Sequence, residues 1–252
     1  MRDRRIEKLR KRHYASPAAV RHQANDLSAG TVDSLLAAAA DNAAVFGEFF
    51  KLKAEVLNLP KFRRYDLYAP LEADTDFYDF QSGREEVLAA FASFSPDFEK
   101  LAARIIDDHR FSARPQAGKQ GGAFCYSMLP ADVPWVLMTY NGRRQDLFTM
   151  AHELGHGIHS QLAAGHNVFN FHATLPLAET SSSFGEMLLA DRLMHKAASP
   201  LQRSVMPFHL LNDAFATIGL QAFFATFEIE AHAQTAKGAT VAELAYAYIN
   251  NL

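Results

Sequence analysis

The sequence predicts a mainly helical fold with one small patch of strand beside a helix that carries His152-Glu153-Leu154-Gly155-His156. Three observations carry that expectation. Long stretches space their apolar residues by three and four, the period of a half-buried helix. Residues 111–142 break the rhythm, gather glycines and prolines, and hold two short runs with the composition of strands. Helical spacing then resumes and persists to the end of the chain.

From Thr31 to Val56 the apolar positions Val32, Leu35, Leu36, Val45, Phe46, Phe49 and Phe50 predict a helix ending near Asn58-Leu59-Pro60. Val87, Leu88, Phe91, Phe94, Phe98 and Leu101 predict another from about Glu85 to His109. Ala123 to Ser127 and Val133 to Tyr140 read as strands, the second closed by the Asn141-Gly142 turn. Helices are then expected over Asp146 to Ala163, Leu177 to Lys196, Leu201 to Ala236 and Val241 to Asn250. No internal repeat is present. The expected organisation is one domain over 1–252. A helical segment, 1–110, leads into a strand patch and site core at 111–196, and C-terminal helices follow at 197–252.

Composition narrows the function classes. Hydrophobic residues make up 49% and charged residues 21% of the 252 positions, and the formal net charge is −3, so no global field favours nucleic acid. The one basic run, Arg2 to Arg12, is interrupted by Asp3 and Glu7 and has Ile6 and Leu9 at helical spacing, which suits a solvated helix face better than a nucleic-acid arm or transit peptide. No secretory signal and no apolar run long enough to span a bilayer is read, so no membrane partner is expected. Cys125 is the single cysteine, which excludes an intrachain disulfide and points to a reducing cytoplasm. Its expected role is that of a small buried hydrophobe.

The chemistry lies in the histidine helix. Residues four apart share a helix face, so His152 and His156 can offer imidazole nitrogens to one tetrahedral zinc ion. Glu153 leans beside that ion, where a general base must stand to take a proton from water. Asp146 can cap this helix, and Gly155 lets a neighbour approach closely. Ala151, Leu154 and Ile158 make the helix partly buried, where unpaired His and Glu would be costly. That weighs against a coincidental motif on a surface helix.

A catalytic zinc needs a third protein ligand. A third histidine at the metzincin spacing is excluded, because position 159 is His rather than Gly and position 162 is Leu. Glu179, which lies 23 residues past His156, is read as the third ligand. Glu186 lies two helical turns further on the same face and is read as the acceptor that orients a ligating imidazole. The plainer reading of Glu179 is an acid in the first turn of a helix, favoured by the dipole. His159 is read as a substrate contact or a packing residue, and His166 and His172 as loop residues able to gate or touch substrate.

Four stretches together resemble the oligoendopeptidase F family, relatives of thimet oligopeptidase. They are Tyr65-Asp66-Leu67-Tyr68-Ala69-Pro70-Leu71, Gly118-Lys119-Gln120-Gly121-Gly122-Ala123-Phe124, the run from Leu137 through His156, and Ala178-Glu179 through Glu186. The resemblance implies a mainly α, gluzincin-type helical metallopeptidase domain with a small β patch next to the HExxH helix. It implies one Zn2+ per chain held by His152, His156 and Glu179, with Glu153 activating the water, and hydrolysis of short peptides in the cytoplasm. It also implies a substrate cleft lined by Gly122, Ala123 and the Val136 to Tyr140 backbone, including Met138 and Tyr140, with an extended peptide pairing to an exposed edge. Family members continue beyond both ends of this sequence. The expectation is therefore an N- and C-terminally truncated piece lacking a C-terminal His and Tyr segment, and the alternative function is a non-catalytic zinc- and peptide-binding remnant.

Overall fold

The computed structural model describes residues 9, 11–69, 76–197 and 200–250. Most of the basic N-terminal run, and Pro70-Leu71 of the YDLYAPL stretch, lie outside these residues. The chain divides into two compact units, one of Met1–Leu71 with Pro207–Leu252 and the other of Glu72–Met206.

The first unit is helical: α1 (Pro17–Ala24), α2 (Ala29–Asp41), α3 (Ala43–Val56), a 3₁₀ turn over Arg64–Tyr68, and the C-terminal helices described below. The single helix expected over Thr31 to Val56 is two, because Asn42 leaves the helical conformation and ends α2 by donating its side-chain amide to the Ala38 carbonyl at 2.8 Å. Phe46, Phe50 and Phe215 stack edge to face, and Phe49 meets Phe208. Lys53 is buried among them, and its ammonium donates to the Leu67 carbonyl at 2.5 Å and to Asn212 Oδ1 at 3.0 Å.

The helix expected over Leu201 to Ala236 is α8 (Pro200–Ala214) and α9 (Leu220–Ala236), joined by a π-helical turn over Phe215–Gly219, and α10 (Val241–Asn250) follows. Met206–Ala236 is, by length and composition alone, apolar enough to cross a membrane, and none of its most apolar window is buried. This corrects the expectation that no such run exists; residues 214–227 carry no charged side chain. Phe223 and Phe227 pack against Tyr248 of α10.

The second unit holds α4 (Phe80–Phe94), α5 (Pro96–Asp107), a three-stranded sheet, α6 (Arg144–Leu162) and α7 (Leu175–Lys196). The single helix expected over Glu85 to His109 breaks at Ser95, which is extended and caps α5 while Pro96, lacking an N–H, starts it. The sheet comprises β1 (Phe111–Ser112), β2 (Phe124–Tyr126) and β3 (Trp135–Leu137), in the order β1-β3-β2. β3 runs parallel to β1 and antiparallel to β2, with Val136 opposite both Phe111 and Cys125.

Asp146 sits in the first turn of α6 and accepts from the backbone N–H groups of Asn141 at 2.8 Å and Arg143 at 3.0 Å, tying the turn after β3 to the helix start. The inner face of α6 buries Leu147, Met150, Ala151, Leu154 and Ile158 against Val87 and Phe91 of α4, Ile105 of α5 and Leu189 of α7. Phe94, Phe98 and Phe184 add an edge-to-face aromatic cluster.

The α6–α7 contact is the closest of these. A Cβ on Gly155 would lie 2.6 Å from the Ser181 carbonyl oxygen and 2.9 Å from Ser182 Cα, and one on Gly185 would lie 2.7 Å from the Ala151 carbonyl oxygen. Both obstacles are backbone, so no rotamer change relieves them. Gly155→Ala is therefore expected to destabilise the chain by overpacking, at the upper end of about 1–3 kcal/mol. That exceeds the helix-propensity gain of roughly 1 kcal/mol. Gly165→Ala, whose Cβ would meet nothing within 4 Å, is the control. Chemical denaturation should show a lower midpoint for the first variant and little change for the second.

Candidate metal centre

α6 sets His152 and His156 one turn apart, with ring centroids 4.8 Å apart and ring planes at 88°. α7 begins at Leu175 with Pro176 in its first turn, and Glu179 faces the two imidazoles. Glu179 Oε2 lies 3.4 Å from His152 Nε2 and 3.5 Å from His156 Nε2. A tetrahedral zinc with bonds of about 2.0–2.2 Å has ligand atoms roughly 3.3–3.5 Å apart. One ligand atom from each of the three residues falls within 4.8 Å of the others. Two imidazoles and one carboxylate are a donor set that zinc accepts. The residues therefore fit the ion.

Each imidazole is oriented from behind. His152 Nδ1 is 2.5 Å from Glu186 Oε1, which places the ring proton on Nδ1 and leaves the Nε2 lone pair available to a metal. The ring N–H of His156 donates to the Ala178 carbonyl, one residue before Glu179. Burial works against charge on His152, but the Glu186 hydrogen bond and the charges of Glu186, Glu153 and Glu179 carry its pKa upward. Burial dominates at His156 and lowers its pKa, helped by the charges of His152 and His159 and opposed by Glu179.

Glu153 is 5% exposed. Burial pushes its carboxyl up to about 6, with Glu179 and Glu186 adding to the rise while His152 and the backbone N–H of Cys125 oppose it. A carboxyl poised there can both take and return a proton near neutral pH. Burial, with the nearby Glu153 charge, raises the Cys125 thiol to about 12, so Cys125 behaves as a small hydrophobe rather than a nucleophile.

Gly122 and Ala123 immediately precede β2, and Gly122 has φ +84°, a conformation that suits glycine. The expected pairing of a peptide along Val136 to Tyr140 is corrected, because β3 is the central strand. The N–H groups of Val136, Met138 and Tyr140 already donate to the carbonyls of Arg110, Ser112 and Ala113 at 2.8, 3.0 and 2.9 Å. The side chains of Met138 and Tyr140 are buried, and the Tyr140 hydroxyl donates to the Tyr78 carbonyl at 2.9 Å. The edges of the sheet are β1 and β2, and on β2 the Cys125 N–H reaches the Glu153 carboxylate. His159 is half-buried beside His156, while His166 and His172 are exposed.

One neighbour of the centre escaped the sequence reading. Ser182 is fully buried, and its hydroxyl lies 2.8 Å from Glu179 Oε2 and 3.0 Å from the Glu179 carbonyl. Its spacing of three from Glu179 was the available signal, hidden within a run of three serines.

Peptidase family M3 matches residues 2–252. Oligopeptidase PepF of Bacillus subtilis (strain 168) is 24% identical over 216 residues, which is 85% of this chain and 32% of that protein. Group B oligopeptidase PepB of Streptococcus agalactiae is 26% identical over 249 residues, 97% of this chain and 40% of that protein. A solved structure provisionally assigned as an oligoendopeptidase F superposes with a TM-score of 0.80 at 15% identity, covering 96% of this chain and 44% of that one. The chain thus spans about a third to two fifths of the length of these curated relatives. A match running almost end to end, over a helical fold that gathers two histidines and a distal glutamate, places the chain in peptidase family M3.

Proposed function

We propose that the chain carries the catalytic core of a zinc-dependent endopeptidase that hydrolyses short peptides. The observation that carries this reading is the convergence of His152 Nε2 and His156 Nε2 on Glu179 Oε2 at 3.4 and 3.5 Å, with buried Glu153 next to His152. The names of the relatives, oligopeptidase PepF and oligopeptidase PepB, support the substrate class. The lone cysteine supports a cytoplasmic setting.

In this reading His152, His156 and Glu179 hold one zinc per chain. Bound there, zinc would polarise a peptide carbonyl and make water more acidic. Glu153 takes the proton of the attacking water and returns it to the departing amine. The Cys125 N–H holds one face of that carboxylate, and Glu186 keeps His152 in the tautomer that leaves Nε2 available. An extended peptide pairs with the open edge of β2 beside Gly122 and Ala123, with His159 as a neighbouring contact.

Metal analysis of the purified chain is expected to give one zinc per chain, and His156→Ala is expected to abolish stoichiometric binding. A parent chain without zinc, or unchanged loading in that variant, removes the centre. Glu153→Gln is expected to keep its zinc and lose turnover of a quenched peptide by a factor on the order of 10²–10⁴. Zinc bound by a parent chain that turns over no peptide would select the alternative, a zinc- and peptide-binding remnant. Glu186→Gln is expected to weaken zinc binding by about 10–100-fold in chelator competition, since it loosens His152 without removing a ligand.

A further inference from the structure

We propose that Ser182 is a positioning residue for the metal centre, fixing the one oxygen of Glu179 that faces the imidazoles. This rests on the assignment of Glu179 as a ligand. Ser182 Oγ is 2.8 Å from Glu179 Oε2, and Oε2 is the atom that lies 3.4 and 3.5 Å from the two histidine nitrogens. Oγ is also 3.0 Å from the Glu179 backbone carbonyl.

A hydroxyl carries a single proton, so these two acceptors compete for it. A ligating carboxylate must be ionised. Two oxygens 2.8 Å apart, one of them anionic, need a proton between them, or their lone pairs repel. The charge-assisted bond to Oε2 is also the stronger of the two. The Ser182 proton therefore points at the ligand oxygen. The backbone carbonyl takes what remains, although a helical serine ordinarily bonds back to its own helix.

Bulk solvent does not reach Ser182. It has no exposed surface, and its Cα lies where a Cβ on Gly155 would come within 2.9 Å. The contact that brings α7 against α6 thus also covers Ser182, while the Glu179 side chain stays 44% exposed. Ser181 provides an internal comparison. Its hydroxyl donates to the Ala178 carbonyl at 2.8 Å, a helix bond of the ordinary kind that leaves the carboxylate untouched.

The test is zinc affinity by chelator competition, with thermal melting of the metal-free chain as the measure of mere packing. Ser182→Ala is expected to weaken zinc binding by about 10–100-fold, as for other groups that orient a ligand. Ser93→Ala, which removes an equivalent helix bond to the Ala90 carbonyl away from the centre, is expected to leave binding within twofold of the parent. Ser182→Thr and Ser182→Val give a size-matched pair that differs only in the hydroxyl, which keeps the test open should the alanine variant fold poorly. The threonine chain should bind zinc more tightly than the valine chain by a similar factor. Equal affinities within the Thr/Val pair, or parent-like affinity in Ser182→Ala, overturn the role of Ser182 and leave the metal centre standing. A parent chain that takes up no zinc overturns the ligand assignment, and the Ser182 proposal falls with it.

Discussion

Glu179 reaches the two imidazoles because α6 and α7 meet backbone to backbone. A side chain at Gly155 or Gly185 would meet backbone of the facing helix at 2.6 or 2.7 Å, so the helices would have to move apart. The two glycines are in this sense part of the centre, although neither carries a functional group. The approach also explains why the acid arrives from a separate helix. On α6 the residues four before and four after the histidine pair are Phe148 and Ser160, neither of them an acid, and the carboxylate comes from α7. The fold solves this by returning the chain through residues 163–174 and laying α7 across the first helix.

Charge explains the second layer of the arrangement. Glu153, Glu179 and Glu186 cluster around His152 and His156, and the charges of Glu179 and Glu186 add to the cost of ionising the buried Glu153. A divalent cation held by His152, His156 and Glu179 would balance that cluster directly. Until such a cation is bound, the negative charge is held by the His152–Glu186 pair, the Cys125 amide and the Ser182 hydroxyl. Preorganisation of this kind lets a site hold its shape before its ligand arrives.

The features legible in the sequence were the ones fixed by short spacing. His152 and His156 share a face whatever the tertiary structure does, and Glu186 follows Glu179 by two turns of one helix. The existence of the later helices followed from apolar period alone. The features that stayed hidden were non-local. Nothing in residues 133–140 says that β1 will pair with β3 on its far side, so a strand that reads as an edge became the centre of the sheet. The breaks at Asn42 and Ser95 interrupt patterns whose apolar period continues through them. Ser182 was invisible because its meaning depends on which of three adjacent hydroxyls the neighbouring helix covers.

A peptide seated along β2, as proposed, would give the site a ruler. The strand that would guide a peptide is the same strand whose Cys125 amide holds Glu153, so guide and base are locked in one register. A peptide shifted by two residues along such an edge moves by about 6.6–6.8 Å, and a shift by one turns every side chain to the opposite face. Where a peptide is cut would then depend on how its backbone seats along β2, with side chains tuning affinity rather than choosing the bond.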